Sequence, residues 1–313
     1  DHLEVLGGRA LVAVLARHLH ALEHAGGRGA GADRTGRTVL LVVSVRRALA
    51  LEVVPDHRAG EALALADPGD VDPLAGSEHV GADHHEFIVR PDALEVLPLL
   101  VEHYGEPYAD SSAIPTYYVA RETRQHVTVA LNGDGGDECF AGYERYAAMR
   151  LAEKYLKLPA LLRKTLIDQA VRLLPASAQR RSRTRDAKRF IQAASLGKVD
   201  RYMRWISVFD APAKDDLYAD GFRHEMARQH SSDLVEPWFA QANGAGIVDA
   251  ALLADTMTYL PNDLLVKVDI ATMANSLEAR SPFLDHEVIE FAASLPEELK
   301  LRGLTTKYLL KKV

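Results

Sequence analysis

Three acidic residues stand close together in a glycine-rich stretch of the chain: Asp134, Asp137 and Glu138. The preceding residues, 126–131, alternate and then turn apolar, as a buried strand does. Glycine lets the backbone approach a phosphate, and the N-terminus of a following helix favours anions. Because three carboxylates repel a bare phosphate, we expect a magnesium ion between them and the phosphate oxygens.

A solvent-exposed turn is the alternative for this loop, since Asn, Gly and Asp are ordinary turn formers. Other motifs do not fit. The dinucleotide-binding pattern G-x-G-x-x-G fails because Glu138 stands where the third glycine belongs, and no G-K-[ST] follows as in a P-loop. A calcium-binding EF-hand fails because Asp137 occupies the glycine position and Tyr143 that of the bidentate glutamate.

Charged residues also interrupt two apolar segments nearer the C-terminus. Lys267 and Asp269 lie within the helical pattern of residues 264–276, and Lys307 lies at the start of a helix predicted over residues 305–312. Charges in a core helix usually pair with each other, and a lysine in a C-terminal helix is usually a solvated surface residue. By itself, neither segment identifies a site.

The elements that must position these residues form a mostly helical second half, and the evidence for strands lies before residue 132. The helical patterns cover residues 91–104, 114–124, 140–156, 158–174, 187–195, 199–209, 221–229, 248–260, 264–276, 286–294 and 305–312. Residues 132–138 form a loop between the strand and the next helix. Open α/β sheets bind ligands at such places, at the carboxyl ends of their strands.

The composition is that of an ordinary globular protein, with 313 residues of which 48% are apolar and 26% charged. The net charge of −7 argues against nucleic acid as the main partner. Residues 38–45, the most apolar stretch, are far fewer than the roughly 18–20 of a membrane span. The single cysteine, Cys139, excludes an internal disulfide and a multi-cysteine zinc site. Since no Met and no leader precede Asp1, we expect a cytoplasmic protein with a truncated beginning.

Residues 1–86 differ in composition from the rest of the chain. They contain no aromatic residue and no Ile, Met, Lys, Asn, Gln or Cys; the first aromatic residue is Phe87 and the first lysine is Lys154. Such a segment lacks the largest contributors to core burial. Two explanations stay open: a peripheral Ala- and Arg-rich segment from a GC-rich genome, or translation of a shifted reading frame, which we favour.

Taken together, the chemically suggestive segments resemble the synthetase domain of glutamine-dependent asparagine synthetases. The resemblance is carried by VALNGDGGDECFAGYERY, LPNDLLVKVDIATMANSLEARSPFLDHEV and LKLRGLTTKYLLKK, and also by DHHEFIV and EPYADSSAIPTYYV. It covers residues 81–313, so we predict one adenylating domain there, after an atypical segment over residues 1–80. The pattern is most similar to bacterial amidotransferases of exopolysaccharide gene clusters.

The resemblance implies an α/β fold of the PP-loop ATPase type (adenine nucleotide alpha-hydrolase-like), a parallel sheet with helices. It implies a ligase that activates the side-chain carboxylate of aspartate with ATP and Mg²⁺, giving an acyl-adenylate that ammonia from glutamine then attacks. The expected partners are aspartate or a related carboxylate, and ammonia from a glutaminase domain that this chain lacks. No nucleic acid and no membrane are expected, and a homodimer stays an open expectation.

The same resemblance assigns roles to individual residues. Those placed around ATP are Leu131, Asn132, Gly133, Asp134 and Lys267, the last near the pyrophosphate. Asp134 also takes part in forming the acyl-adenylate, Lys307 stabilises the adenylation transition state, and Asp137 binds magnesium. Supporting ion pairs are expected from Glu278, Arg280 and Asp285. Cys139 is expected to be a buried apolar side chain, not a nucleophile.

Two features of the family do not occur in this sequence. The S-G-G-x-D-S-S pyrophosphate loop is not found before Asp83, and no glutaminase domain is present. We therefore expect this chain to bind ATP poorly and to lack glutamine-dependent activity. Two alternatives stay open: a non-catalytic remnant that serves as a binding or scaffold subunit, and an adenylating relative with a different acid, such as a β-lactam or peptide precursor.

Overall fold

The computed structural model describes residues 92–163, 169 and 183–312. These residues form two compact units. The sheet unit contains residues 92–134 and 262–282, and the helical unit contains residues 135–163, 169, 183–261 and 283–312. The domain boundary predicted near residue 80 and most of the helix predicted over residues 158–174 lie outside the described residues.

The described elements follow one another with short connections. In chain order they are α1 (Ala93–Tyr104), α2 (Ala113–Arg124), β1 (Val129–Leu131), α3 (Gly136–Phe140), α4 (Glu144–Leu156), α5 (Ala160–Leu162), α6 (Arg183–Ala194), α7 (Lys198–Ile206), α8 (Ala211–Leu217), α9 (Asp220–Met226), a 3₁₀ turn (Ser231–Leu234), α10 (Glu236–Gln241), α11 (Ile247–Ala254), a π-helix (Asp255–Leu264), α12 (Leu265–Met273), β2 (Glu278–Arg280), a 3₁₀ turn (Pro282–Leu284), α13 (His286–Ser294) and α14 (Glu297–Lys300). None of the helices within the described ranges is both long and apolar enough to cross a membrane.

The core of the sheet unit lies where α12 packs on α1 and α2. Its buried side chains are Val96, Leu100, Tyr104, Ala113, Tyr117, Tyr118 and Ala271. The Tyr104 hydroxyl donates to the Lys267 carbonyl at 2.9 Å, and the Tyr118 hydroxyl to the Asp92 carbonyl at 2.9 Å. Each ring is therefore buried while its hydroxyl keeps a hydrogen-bond partner.

Strands β1 and β2 form a parallel pair, with Val129 opposite Glu278 and Leu131 opposite Arg280. The strand predicted over residues 126–131 is confirmed over three residues, but Leu131 is exposed and not buried. The expectation that strands lie only before residue 132 is wrong, since β2 lies near the C-terminus. Because the strands are parallel, their carboxyl ends meet at one edge of the sheet.

The helical unit confirms the prediction of a mostly helical second half within the described residues. Helix α4 packs against α6, α7 and α11, and α10 packs against α11. The large side chains buried there are Tyr146, Met149, Tyr202, Phe239, Val248, Leu252 and Leu301. Helices α8, α10 and α14 are not predicted by the apolar spacing, because short helices give too few turns for the periodicity to show.

Residues 140–156 are not one continuous helix, as the spacing predicts. Helix α3 ends at Phe140, Ala141 takes a left-handed backbone with φ of 55°, and α4 begins at Glu144. The Gly142 N–H closes α3 by bonding to the Asp137 carbonyl at 2.9 Å. A left-handed residue ends a helix because the chain leaves the helical path there.

Residues 305–312 form turns, so the helix predicted there is wrong. Gly303 and Lys307 have positive φ values of 63° and 50°, which a helix does not allow. The Tyr308 N–H bonds to the Lys300 carbonyl at 2.9 Å, and the Leu309 N–H to the Leu299 carbonyl at 2.9 Å. These two bonds to α14 interrupt the helical pattern, and only the Lys311 and Lys312 N–H groups among the described residues after Lys307 bond back within the segment, to the Lys307 and Leu309 carbonyls.

Candidate functional site

The glycine-rich loop turns sharply before α3. Gly135 has φ of 85°, and a Cβ there would lie 2.2 Å from Cδ2 of Leu284. Glycine is required at this position, because other residues would meet both backbone strain and a clash. Helix α3 then starts at Gly136, with Asp137 and Glu138 in its first turn. The strand, loop and helix follow in the predicted order.

Asp137 is paired with a lysine from a distant part of the sequence. The Lys307 Nζ atom lies 3.0 Å from Asp137 Oδ2, and the two side chains are 31% and 32% exposed. Lys307 has φ of 50°, a left-handed backbone that is uncommon outside glycine. The turns of residues 301–312 therefore bring to Asp137 the one lysine to which the sequence assigns a catalytic role.

Gly142 leaves the space that this ion pair occupies. A Cβ on Gly142 would lie 1.7 Å from Asp137 Oδ1 and 2.4 Å from Lys307 Cε. Both distances are far inside van der Waals contact, so any larger residue would displace one or both side chains. The sequence alone does not mark Gly142 as part of the site; its position four residues after the glutamate of the acidic loop is the only signal.

The chemistry of this pair fits a magnesium ion that is shared with a phosphate. Mg²⁺ is usually held by one or two carboxylates, with water and substrate oxygens completing its shell. Asp137 offers one carboxylate that is partly exposed. Across the part of the chain that the structure describes, no group of three or more His, Cys, Asp or Glu side chains could hold a metal. The partly exposed Asp137 carboxylate is the kind of single protein ligand that such an ion accepts.

Glu138 lies in the interior, although it directly follows Asp137. Its side chain accepts a hydrogen bond from the Tyr143 hydroxyl at 2.5 Å, and the residue is 2% exposed. Burial raises the pKa of Glu138, the Tyr143 hydrogen bond opposes this effect, and the net pKa is above its ordinary value. Glu138 is therefore part of the packing of the helical unit, and the three acidic residues of the loop do not share one role.

Asn132 and Asp134 contact each other just after β1, in the sheet unit. Asn132 Nδ2 donates to Asp134 Oδ2 at 2.8 Å, and the Asp134 N–H approaches Asn132 Oδ1 at 3.4 Å. The Ser281 hydroxyl, just after β2, donates to the same Asn132 oxygen. Leu131 and Gly133 are exposed on either side of Asn132. The sequence alone does not point to Ser281.

Lys267 is held by Asp110, which the sequence alone does not single out. Their Nζ and Oδ2 atoms are 2.9 Å apart, with side chains 12% and 21% exposed. Asp110 also accepts from the Ser112 N–H at 2.8 Å and the Ser112 hydroxyl at 2.7 Å. Lys267 thus forms an ion pair, as charges in apolar helices usually do, and its place near the pyrophosphate stays a prediction.

The Asp110 pair gives a pH-dependent contribution to stability. Burial raises the pKa of Asp110, but the Lys267 ammonium and the Ser112 hydrogen bonds lower it more, so the net pKa lies below its usual 3.8. A carboxyl whose pKa is lowered by folding stabilises the fold above its unfolded-state pKa. That contribution is lost as the pH falls through the folded-state value.

We expect Asp110→Asn to lower the free energy of unfolding at pH 7 by about 1–3 kcal/mol, because Lys267 then keeps a half-buried charge without a carboxylate. The difference between wild type and variant should shrink towards pH 3, because Asp110 of the unfolded chain, with its ordinary pKa of 3.8, takes up a proton there before Asp110 of the folded chain does. Urea unfolding at both pH values measures this. An equal difference at pH 7 and pH 3 would contradict the assignment.

The supporting ion pairs expected from three charged residues are present in part. Arg280 Nε lies 2.7 Å from Glu278 Oε1, so these two residues of β2 pair with each other. Asp285 lies 3.6 Å from His286 Nδ1, and its carboxylate also accepts the Glu287 N–H at 2.9 Å and caps α13. A cap of this kind fixes where the helix begins.

Cys139 is buried, 7% exposed, and packs against the Phe283 backbone. Burial raises the pKa of its thiol to about 12, and the charge of Glu138 adds to that effect. Only the thiolate is an effective nucleophile, so Cys139 is unsuited to covalent catalysis near neutral pH.

Alkylation of the single thiol tests this directly. At pH 8, iodoacetamide should modify the native chain at least about 100-fold more slowly than the urea-unfolded chain. Burial keeps the reagent away from the sulfur, and the raised pKa keeps the thiol protonated. Mass spectrometry of timed samples measures the two rates. Native alkylation as fast as that of the unfolded chain would show that Cys139 is accessible and ionised.

Comparison with known proteins adds an independent observation. The sequence profile of the asparagine synthase family matches residues 75–313. The chain belongs to the asparagine synthase family. The resemblance based on the three segments is thereby confirmed, and the mostly helical α/β structure with a small parallel sheet is consistent with an asparagine synthase domain.

Relatives with assigned names cover most of this chain. Asparagine synthetase (glutamine-hydrolyzing) 1 of Bacillus subtilis (strain 168) is 33% identical over 234 residues, 74% of this chain and 35% of that protein. A putative asparagine synthetase (glutamine-hydrolyzing) of Mycobacterium bovis is 35% identical over 240 residues, 76% and 35% of the two chains. The amidase chry2 of Gibberella zeae is 24% identical over 242 residues, 72% and 34%. The chain thus spans about a third of the length of these relatives. No solved structure matches it.

Proposed function

We propose that this chain is the adenylating part of an ATP-dependent, amide-forming ligase of the asparagine synthetase (glutamine-hydrolyzing) type. The observation that carries the proposal is the 3.0 Å contact between Lys307 Nζ and Asp137 Oδ2. The family resemblance assigns these two residues to transition-state stabilisation and to magnesium. Their direct contact supports both assignments, because it places the ammonium and the carboxylate side by side although they lie 170 positions apart in the sequence.

In the proposed reaction, a side-chain carboxylate oxygen of aspartate attacks the α-phosphorus of ATP, and the bond to pyrophosphate breaks. Ammonia then attacks the carbonyl carbon of the acyl-adenylate, AMP leaves with the bonding electrons, and the nitrogen loses a proton to solvent. The first step brings an anion to a phosphorus that is surrounded by negative oxygens. Neutralisation of that charge is therefore the main task of the protein.

Lys307 would supply this neutralisation, since an ammonium offers three N–H donors and a full positive charge to phosphate oxygens. The Asp137 carboxylate, 3.0 Å away, fixes where that ammonium lies before substrate arrives. Asp137 would also hold the magnesium ion, which supplies further neutralisation of phosphate charge when bound. Because both side chains are about one-third exposed, water and ions can reach them.

The end of β1 would receive the nucleotide in this proposal. Leu131 and Gly133 are exposed there, and a glycine lets AMP approach the backbone closely. Asp134, held by the Asn132 side-chain amide, would take part in forming the acyl-adenylate. Lys267 would contact the pyrophosphate only by sharing its ammonium with Asp110. A loop at the carboxyl end of parallel strands also supports a PP-loop type of fold.

The proposal also concerns which carboxylic acid is adenylated. The two relatives named asparagine synthetase favour aspartate as the acid and ammonia from glutamine as the nitrogen source. The relative named amidase favours a second candidate, the same adenylation chemistry with a different carboxylate. Both candidates share the ATP-dependent step, so this step is the one to measure first.

Exchange of labelled pyrophosphate into ATP tests the proposal on the purified chain with Mg²⁺ and millimolar ATP. Because we expect this chain to bind ATP poorly, we expect slow exchange that requires aspartate, stops with a chelator and is absent with asparagine, which lacks the carboxylate. Exchange that requires another acid from a panel would establish the second candidate. The absence of both exchange and MgATP binding, the latter measured by calorimetry, would contradict the proposal. That result would favour a non-catalytic binding subunit.

A further inference from the structure

A chain of hydrogen bonds links the two strand ends of the sheet unit. Asn132 follows β1, and its N–H bonds to the Arg280 carbonyl of β2 at 2.9 Å. Ser281 follows β2, and its hydroxyl donates to Asn132 Oδ1. Asn132 Nδ2 in turn donates to Asp134 Oδ2 at 2.8 Å. The side chain of Asn132 therefore lies between Ser281 and Asp134.

The partners of Asn132 allow one orientation of its amide. A carboxylate only accepts hydrogen bonds, so the NH₂ group must face Asp134. A backbone N–H only donates, so the Asp134 N–H must approach the amide oxygen, as it does at 3.4 Å. The Ser281 hydroxyl therefore donates to that oxygen. Hydrogen bonds in such a chain polarise one another, so the bond from Ser281 strengthens the bond to Asp134.

Ser281 is well placed to hold the amide. It lies between β2 and Pro282, and a residue before proline is kept away from helical backbone. The Ser281 backbone is thus restrained on both sides, and little conformational entropy is lost when the hydroxyl makes its bond. An alanine here would leave the Asn132 oxygen with the long contact to the Asp134 N–H as its remaining bond among those described.

We infer that Ser281 is a positioning residue for Asp134 and acts through the side-chain amide of Asn132. Ser281 makes no direct contact with Asp134; it fixes the donor that holds the carboxylate. The consequence for catalysis rests on the proposed function, in which Asp134 takes part in forming the acyl-adenylate. The hydrogen-bond relay itself is a property of the folded chain and can be measured without substrate.

NMR spectroscopy of the isotope-labelled chain detects the hydrogen bonds from Ser281 to Asn132 and from Asn132 to Asp134. The Asn132 side-chain NH₂ signals are identified by their loss in Asn132→Asp, and the Asp134 carboxyl carbon by its loss in Asp134→Asn. We expect Ser281→Ala to shift both sets of signals and Ser281→Thr, which keeps the hydroxyl, to restore them. Ser294→Ala is the matched control, because among the described residues the Ser294 hydroxyl bonds only the Phe291 carbonyl of its own helix, at 2.7 Å.

Unchanged Asn132 and Asp134 signals in Ser281→Ala would overturn the inference. If the alanine variant does not fold, Ser281→Cys replaces it, since a thiol is a weaker donor of similar shape. We expect the same signals to shift by a smaller amount. Unchanged signals in Ser281→Cys would also overturn the inference. Restoration by threonine excludes a purely steric cause, since threonine is larger than serine and alanine is smaller.

The pyrophosphate exchange rate gives the functional half of the test. We expect Ser281→Ala to lower kcat about tenfold, the value of one well-placed hydrogen bond, with the KM for MgATP changed by less than about twofold. A rise in KM at constant kcat would show that Ser281 serves binding and not Asp134. If wild-type chain shows no exchange, the proposed function fails, whereas the resonance comparison still decides the role of Ser281.

Discussion

Replacing Asp255 with asparagine is expected to lower the free energy of unfolding by about 3–5 kcal/mol, the range typical of a broken buried ion pair. Asp255 is 0% exposed. Its carboxylate faces Arg145, with Nε 3.0 Å from Oδ2 and Nη2 2.9 Å from Oδ1. Tyr146 and Tyr202 each donate a hydroxyl hydrogen bond to it at 2.5 Å. Three hydrogen bonds and one further guanidinium nitrogen thus converge on one carboxylate.

The arginine explains why the effect is large. Its guanidinium lies 3.9 Å from the centre of the Tyr143 ring and 5.0 Å from that of Tyr259. Burial lowers the pKa of Arg145, but the charge of Asp255 raises it more, so the net pKa is above its usual value. Asparagine would leave this charge uncompensated and would turn an NH₂ group towards donors.

Urea unfolding at pH 7 measures the change, and Asp220→Asn is the matched control. Asp220 also pairs with an arginine, Arg223 at 3.2 Å, but its side chain is 97% exposed. Exposed pairs contribute little, so the control should change stability by less than about 1 kcal/mol. A loss in Asp255→Asn no larger than in the control would show that the buried carboxylate does not hold the helical unit together.

Gly142→Ala is expected to lower the aspartate-dependent exchange rate by about 100- to 1000-fold, the effect of losing one preorganised electrostatic contact. The added Cβ would lie 1.7 Å from Asp137 Oδ1 and 2.4 Å from Lys307 Cε. The short Asp137 side chain cannot avoid it without leaving its place on α3. The variant therefore separates the carboxylate from the ammonium without altering either chemical group.

Two further variants make this measurement specific. Lys307→Ala should lose exchange to a similar degree, because it removes the ammonium itself. Gly221→Ala should retain full exchange, since a Cβ on Gly221 meets no atom within 4 Å and the residue lies in α9. Full exchange in Gly142→Ala, with a displaced ion pair in its structure, would remove Asp137 and Lys307 from the proposed mechanism.

Local sequence patterns predict some elements well and others not at all. Helix α13 spans the predicted residues 286–294, because Asp285 caps it and the apolar spacing matches one buried face. Strand β2 is not predictable from its residues, since Glu278-Ala279-Arg280 has two charges and is too short for a period to show. It is a strand because its backbone pairs with β1. The predicted helix over residues 305–312 fails for the related reason that its backbone bonds to α14.

The residues of the candidate site likewise fall into those that the sequence singles out and those that it does not. Its acidic loop and Lys307 are singled out by specific motifs, and the structure places Lys307 beside Asp137, while their roles stay predictions. Asp110, Gly142 and Ser281 are not predictable, because their importance depends on which distant residue each one meets. Nothing in the local sequence of Asp110 indicates that Lys267 is its partner.

The parallel pairing of β1 with β2 has a consequence for synthesis on the ribosome. Most of the helical unit lies between these strands in the sequence, so they close a very long loop. Contacts between such distant residues form slowly, whereas helices form from neighbours. A nascent chain that ends before residue 278 carries Asn132 and Asp134 but neither the strand nor the serine that holds them. We therefore expect the acidic loop to reach its final geometry only after residues 278–281 have left the ribosome.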